Sequence, residues 1–204
     1  FYPDTGHILR RINDLLKPGG LFISETASLG NQGGLARALL TGLGRLGLLP
    51  PMNTVDSFLC MGSSITQAQG TGVKNPQKIV AFIGDSTFFH AGVPALIDAV
   101  NQNVHFVLVI LDNRTTAMTG NQPTPATGQG ACGEVTDVVG IRSLIEGCGV
   151  KFIREANPYQ LEDFIPLLKE AVKYSRKNGP AVVISKYPCV LHRARQGGSG
   201  EITT

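Results

Sequence analysis

Two apolar runs constrain this chain more than any other feature. Lys78-Ile79-Val80-Ala81-Phe82-Ile83 and His105-Phe106-Val107-Leu108-Val109-Ile110-Leu111 are nearly unbroken and rich in β-branched residues. Strands covered on both faces by helices have this composition, whereas a half-solvated strand alternates with polar residues. One run ends in Gly84-Asp85-Ser86 and the other in Asp112-Asn113. Asp85 and Asn113 lie 28 positions apart, room for one turn, one helix, one loop and one strand. That is a single βαβ crossover. Parallel neighbours release their C-terminal ends on the same edge, where such folds bind ligands, so the two residues are expected side by side.

The rest of the chain continues the alternation. Residues 5–16 have helical spacing, Lys17-Pro18-Gly19-Gly20 is a turn, and Leu21-Phe22-Ile23-Ser24 reads as a strand. A helix of small and leucine residues is expected at 32–46, and Pro50-Pro51 is the strongest break. After it come expected helices at 61–71 and Ala91–Asn101, a Thr/Gly/Pro-rich loop at 114–131, and a helix at 137–147. A strand at 150–154, a helix at 158–177, a strand at 181–186 and a frayed polar tail follow. The fold expected is α/β: a three-layer sandwich with a mostly parallel sheet and helices on both faces.

Composition excludes several classes. With 42% hydrophobic and only 16% charged residues the chain is not disordered. A net charge of +3, scattered along the sequence, does not point to nucleic acid. No apolar run is long enough to span a bilayer. No secretory signal opens the chain, so a cytoplasmic protein is expected, and Phe1 in place of Met suggests a fragment. Cys60, Cys132, Cys148 and Cys189 form no CxxC pair, so zinc or iron–sulfur spacing is absent and reduced thiols are expected.

Asp85 and Asn113 offer oxygen ligands that suit a hard cation such as Mg²⁺, which is held by a few protein groups plus phosphate oxygens. The helix after Ser86 turns its N-terminus toward the same spot, which favours an anion. A GDG-like tripeptide, such a crossover and a paired Asn together resemble the diphosphate-binding motif of thiamine-diphosphate enzymes.

The flanking residues narrow the resemblance. Gly84-Asp85-Ser86-Thr87-Phe88-Phe89-His90-Ala91-Gly92 and Leu111-Asp112-Asn113-Arg114-Thr115-Thr116-Ala117-Met118-Thr119-Gly120-Asn121-Gln122 resemble the indolepyruvate ferredoxin oxidoreductases. Leu49-Pro50-Pro51-Met52-Asn53-Thr54-Val55-Asp56, Leu59-Cys60-Met61-Gly62-Ser63-Ser64-Ile65 and Tyr187-Pro188-Cys189 do so too. The similarity runs from about 47 to 191. It implies that Asp85 and Asn113 bind Mg²⁺ by side chain and Thr115 by its carbonyl. It implies that Gly84 and Ser86 meet the diphosphate, Ser86 by its amide. Gly62, Ser63, Met118, Thr119 and Gly120 would line the cofactor. His90 would touch substrate or move a proton, or else simply bond to backbone at a helix start. Cys60 and Met61 read as packing, and no role follows for Cys189. The activity implied is oxidative decarboxylation of a 2-oxoacid, an aryl pyruvate such as indolepyruvate, to an acyl-CoA. Electrons would leave through iron–sulfur clusters, held in other domains or subunits, to ferredoxin. The catalytic glutamate, the clustered cysteines and a Cys-Pro-Gly-Cys stretch before Leu49 have no counterpart here.

Residues 1–50 resemble something else. Leu9-Arg10-Arg11-Ile12, Leu15-Leu16-Lys17-Pro18-Gly19-Gly20 and Leu21-Phe22-Ile23-Ser24-Glu25-Thr26 are similar to the late part of a class I S-adenosylmethionine-dependent methyltransferase. Its Gly-rich loop and ribose-binding acid are missing. The expected organisation is therefore a methyltransferase-like segment at 1–50, a thiamine-diphosphate domain at 51–191 and a flexible tail at 192–204. Two readings of the start remain: a chimera of two sources, or a divergent oxidoreductase whose first segment supplies a strand to the sheet. The alternatives for function are an inert folded fragment and a methyltransferase remnant.

Overall fold

The computed structural model describes residues 20–24, 56–57, 59–72 and 78–189. The expected helices at 5–16 and 32–46, the Pro50-Pro51 break and the tail beyond Cys189 lie outside these residues. In order come β1 (Gly20–Ser24), α1 (Ser64–Gly72), β2 (Lys78–Gly84), α2 (Val93–Asn101) and β3 (Val107–Asp112). Then follow α3 (Ile141–Gly147), β4 (Phe152–Ala156), α4 (Leu161–Asn178) and β5 (Ala181–Lys186).

The five strands form one sheet in the order β1-β2-β3-β5-β4, and every pairing is parallel. β1 joins the edge next to β2, with Gly20 opposite Lys78 and Ser24 opposite Phe82. The first segment thus contributes a strand to the same sheet as the two apolar runs.

Alternation along the buried strands builds two cores. Ile79, Ala81 and Ile83 of β2 and Leu108 and Ile110 of β3 point to one side, where they meet Ile65, Leu96 and Ile145 of α1, α2 and α3. Val80 and Phe82, Val107 and Val109, and Val183 point to the other side, against Phe164, Leu168 and Ala171 of α4. Right-handed crossovers explain which helix goes where. Steps from β1 to β2, β3 and β4 all move one way along the sheet, so their helices share a face. The step from β4 back to β5 reverses direction and places α4 on the opposite face. The three layers expected from the sequence are present.

The differences are local. The helix expected to begin at Ala91 starts at Asp85 instead: one α turn over Asp85–Thr87 runs into a π-turn over Phe88–Gly92, then α2. Gly92 accounts for the widening. A Cβ there would lie 2.6 Å from the Phe88 ring and 2.9 Å from Ile83 Cδ1, and both of those side chains are fully buried. Gly92→Ala is therefore expected to destabilise the domain by about 1–3 kcal/mol through overpacking, measurable by urea unfolding. The loop after β3 reaches Gly140 rather than residue 131, and α3 starts at Ile141 rather than 137. Gly128, Gly130, Gly133 and Gly140 interrupt any helical ladder in this stretch. β4 lies two residues beyond its expected position. Gly149, at φ +90, turns the chain before it.

Candidate active site

β2 and β3 pair with Gly84 opposite Leu111, so Asp85 and Asp112 leave the sheet together. Asp85 then enters its helical turn while Asn113 leads into a loop. A side-chain bond ties the two turns: the Thr116 hydroxyl donates to Ser86 Oγ at 2.9 Å. Thr116 and Gln122 bridge each other, with Thr116 N donating to Gln122 O at 2.9 Å and Asn121 N to Thr116 O at 3.1 Å. This closes the short loop that carries Met118, Thr119 and Gly120 and holds it beside Ser86. Thr119 and Gly120 are exposed, and the Thr119 hydroxyl bonds to the Gln122 side chain.

The turn after β3 is built from its own polar side chains. Asn113 Oδ1 accepts the Thr115 amide at 3.0 Å and Asp112 Oδ1 accepts the Arg114 amide at 3.3 Å. Arg114 adopts φ +57, an uncommon conformation for a side-chain-bearing residue, which the two Asx-type bonds hold in place. From the other direction, β5 continues past its end alongside this turn. Tyr187 N donates to Asp112 O and Cys189 N to Asn113 O.

Gly62 completes one wall. It sits at φ +87, and a Cβ there would come within 2.8 Å of Ala91 Cβ. Only glycine lets the turn before α1 press against the π-turn that follows Asp85. The Ser63 hydroxyl is occupied locally: it donates to Cys60 O at 2.6 Å and accepts from Gln67 Nε2 at 2.7 Å. His90 lies on the exposed side of the π-turn.

Asp85 is the electrostatic centre. It is 2% exposed. Its Oδ1 accepts the Ser86 amide at 2.8 Å, while Oδ2 is buried without a partner. Burial pushes its carboxyl up to about 7, and Asp112 pushes the same way, against the Ser86 and Arg114 amides. The Asp112 carboxyl is also raised, chiefly by burial, against the pull of Arg114 and Lys186. A buried carboxylate oxygen with no donor, beside a second buried carboxylate, is costly unless a cation joins it. No group of three His, Cys, Asp or Glu side chains able to hold a metal occurs among the described residues. A cation here would therefore need Asp85 together with amide, carbonyl or phosphate oxygens, a donor set that fits Mg²⁺.

Of the residues singled out from the sequence, Asp85, Ser86, Asn113 and Thr115 emerge at this edge, the 118–120 loop is held beside them through Thr116, and Gly62 packs on the π-turn. The sequence reading gave no role to Asp112 or Thr116. The signal for Asp112 was present, since an acid ending a strand next to Asp85's strand must share its edge.

The family described as "Thiamine pyrophosphate enzyme, C-terminal TPP binding domain" matches residues 43–185. Indolepyruvate oxidoreductase subunit IorA of Archaeoglobus fulgidus is 45% identical over 161 residues, 78% of this chain and 25% of that protein. The same subunit from Methanothermobacter marburgensis is 47% identical, over 72% of this chain and 23% of that one. The chain thus spans about a quarter of the length of these relatives. Among solved structures, 2-oxoglutarate:ferredoxin oxidoreductase from Magnetococcus marinus superposes with a TM-score of 0.65 at 20% identity. That match covers 93% of this chain and 64% of the other. With the matched profile enclosing both strand ends, the chain belongs to the thiamine pyrophosphate enzymes, through their C-terminal TPP-binding domain.

Proposed function

We propose that this chain is the thiamine-diphosphate and Mg²⁺-binding part of an indolepyruvate-type 2-oxoacid:ferredoxin oxidoreductase. The observation that carries the reading is the unpartnered, buried Oδ2 of Asp85 at the edge where Asn113 also emerges. In this reading Asp85, Asn113 and the Thr115 carbonyl hold the cation. Ser86 would turn its amide, which donates to Asp85 Oδ1 in this structure, to the diphosphate, and Gly84 lets the diphosphate approach. Gly62, Ser63, Met118, Thr119 and Gly120 line the cofactor, and His90 meets the substrate. The cofactor supplies the capacity to stabilise negative charge on the carbon left by decarboxylation. The protein positions it and excludes water.

The substrate proposed is an aryl pyruvate, with coenzyme A as acyl acceptor and ferredoxin as electron acceptor. The catalytic glutamate and the iron–sulfur clusters would come from other domains or subunits. Exposed Leu59, Met61, Val135 and Val138, on the segments before α1 and after Asn113, are the kind of apolar surface that a covering domain buries. No helix among the described residues is long and apolar enough to cross a membrane, and a cytoplasmic site is part of the proposal.

Within the methyltransferase-like segment 1–50, Gly20–Ser24 serves this domain as an edge strand in our reading, because β1 pairs with β2. Residues 51–191 then form the cofactor domain and 192–204 a tail. Calorimetric titration tests the reading. Thiamine diphosphate is expected to bind only with Mg²⁺ present, and S-adenosylmethionine to give no heat. No heat from thiamine diphosphate with Mg²⁺ would leave an inert folded domain as the correct description.

A further inference from the structure

At the other end of the sheet lies a groove of about 560 Å³ whose charged lining, among the described residues, is basic: Lys78, Lys169, Lys173, Arg176 and Lys177. Its floor is aliphatic, from Leu168 and Val172. Lys78 opens β2, and Arg176 and Lys177 close α4 just before β5 begins. The groove therefore sits at the N-terminal edge of the sheet. Asp85 follows the far end of β2, on the order of 20 Å away at strand rise.

Three features set this groove apart from an ordinary solvated face. First, no ion pair among the described residues reaches the groove. The ion pairs among the described residues join Arg142 to Glu146 and Glu155, Arg154 to Glu170 and Lys186 to Glu155, and none reaches these five cations. Second, the cations form a row. Positions 169, 173, 176 and 177 fall on one helical face and span roughly 12 Å at helix rise. Like charges at such spacing disfavour a helix unless something neutralises them. Third, the helix dipole accounts only for Arg176 and Lys177 in the last turn of α4, and not for Lys169, Lys173 or Lys78.

We propose that this groove binds a small ligand bearing two or more phosphates, at a site separate from the cofactor edge. The lining selects that class. Lysine is depleted in protein–protein interfaces but is a common point-charge binder of phosphate. Among the described residues its lining has no aromatic side chain on which the bases of a single strand would stack. Its volume lies in the range of small-molecule sites. A row of flexible ammonium groups reads phosphate charge without fixing the organic group attached to it.

Titration of the full chain with inorganic tripolyphosphate, in magnesium-free buffer, tests the proposal. Binding is expected, weakening as salt is raised. The Lys169→Gln/Lys173→Gln double variant, altered only at exposed positions, is expected to bind at least about tenfold more weakly. Asp85→Ala is expected to bind tripolyphosphate as the parent does, which separates this groove from the cofactor site. ATP and AMP identify the source of the phosphate. Equal binding of ATP and tripolyphosphate, with AMP much weaker, means that phosphate alone is read, and tighter binding of ATP points to a nucleotide. The proposal is overturned if tripolyphosphate does not bind, if sulfate at equal ionic strength binds as well, or if the double variant is unchanged.

Discussion

Asp85→Ala is expected to weaken thiamine diphosphate binding in the presence of Mg²⁺ by on the order of a hundredfold or more. Changing a residue that only supports a metal ligand already costs about 10–100-fold, and among the described residues Asp85 alone offers a carboxylate oxygen that is buried with no donor. The loss is not expected to come from unfolding. In the parent without metal, the buried carboxyl is a burden on the fold. Removing it therefore leaves the apoprotein at least as stable at pH 8 as the parent, despite the small void left by the side chain. Calorimetric titration for binding and urea unfolding for stability separate the two effects. A variant that binds like the parent contradicts the assignment of Asp85, and one that does not fold contradicts the electrostatic argument.

The second large effect is on pH. Asp85 titrates near 7 in the fold but near 3.8 in an unfolded chain. Between those values the folded state holds a proton that the unfolded state has lost, so stability falls as pH rises. Stability is full below about pH 4 and is reduced by roughly 4 kcal/mol once pH passes 7. Asp112, raised in the same direction, adds to the trend. Asp85→Asn is expected to remove most of this slope. Bound Mg²⁺ competes with the same proton, so apparent cofactor affinity should drop about tenfold per unit below pH 7. Urea unfolding of the apoprotein across pH 4–8 reads the first effect, and titrations across the same range read the second. An apoprotein that gains stability from pH 4 to 7 would show that Asp85 is ionised without a cation.

Much of the fold was legible because burial leaves a plain record in composition. β2 and β3 are apolar on both faces and so read as central parallel strands, and β5 was placed with its observed bounds. The Asp85–Asn113 spacing gave the shared edge for the same reason, since one crossover has a narrow range of lengths. The rest failed where structure depends on contacts distant in sequence. The π-turn over Phe88–Gly92 follows from the fit of Gly92 against Ile83, which no local pattern encodes. The Thr116–Ser86 bond joins residues 30 positions apart. The cations of α4 look scattered along the chain, and become a groove only when Lys78 is folded beside them.

The most direct measurement is anomalous diffraction from crystals grown with Mn²⁺ and thiamine diphosphate. One peak is expected, with the Asp85 carboxylate, the Asn113 amide oxygen and the Thr115 carbonyl each about 2.1–2.2 Å away. Cofactor density with no metal touching Asp85 or Asn113 would contradict the account.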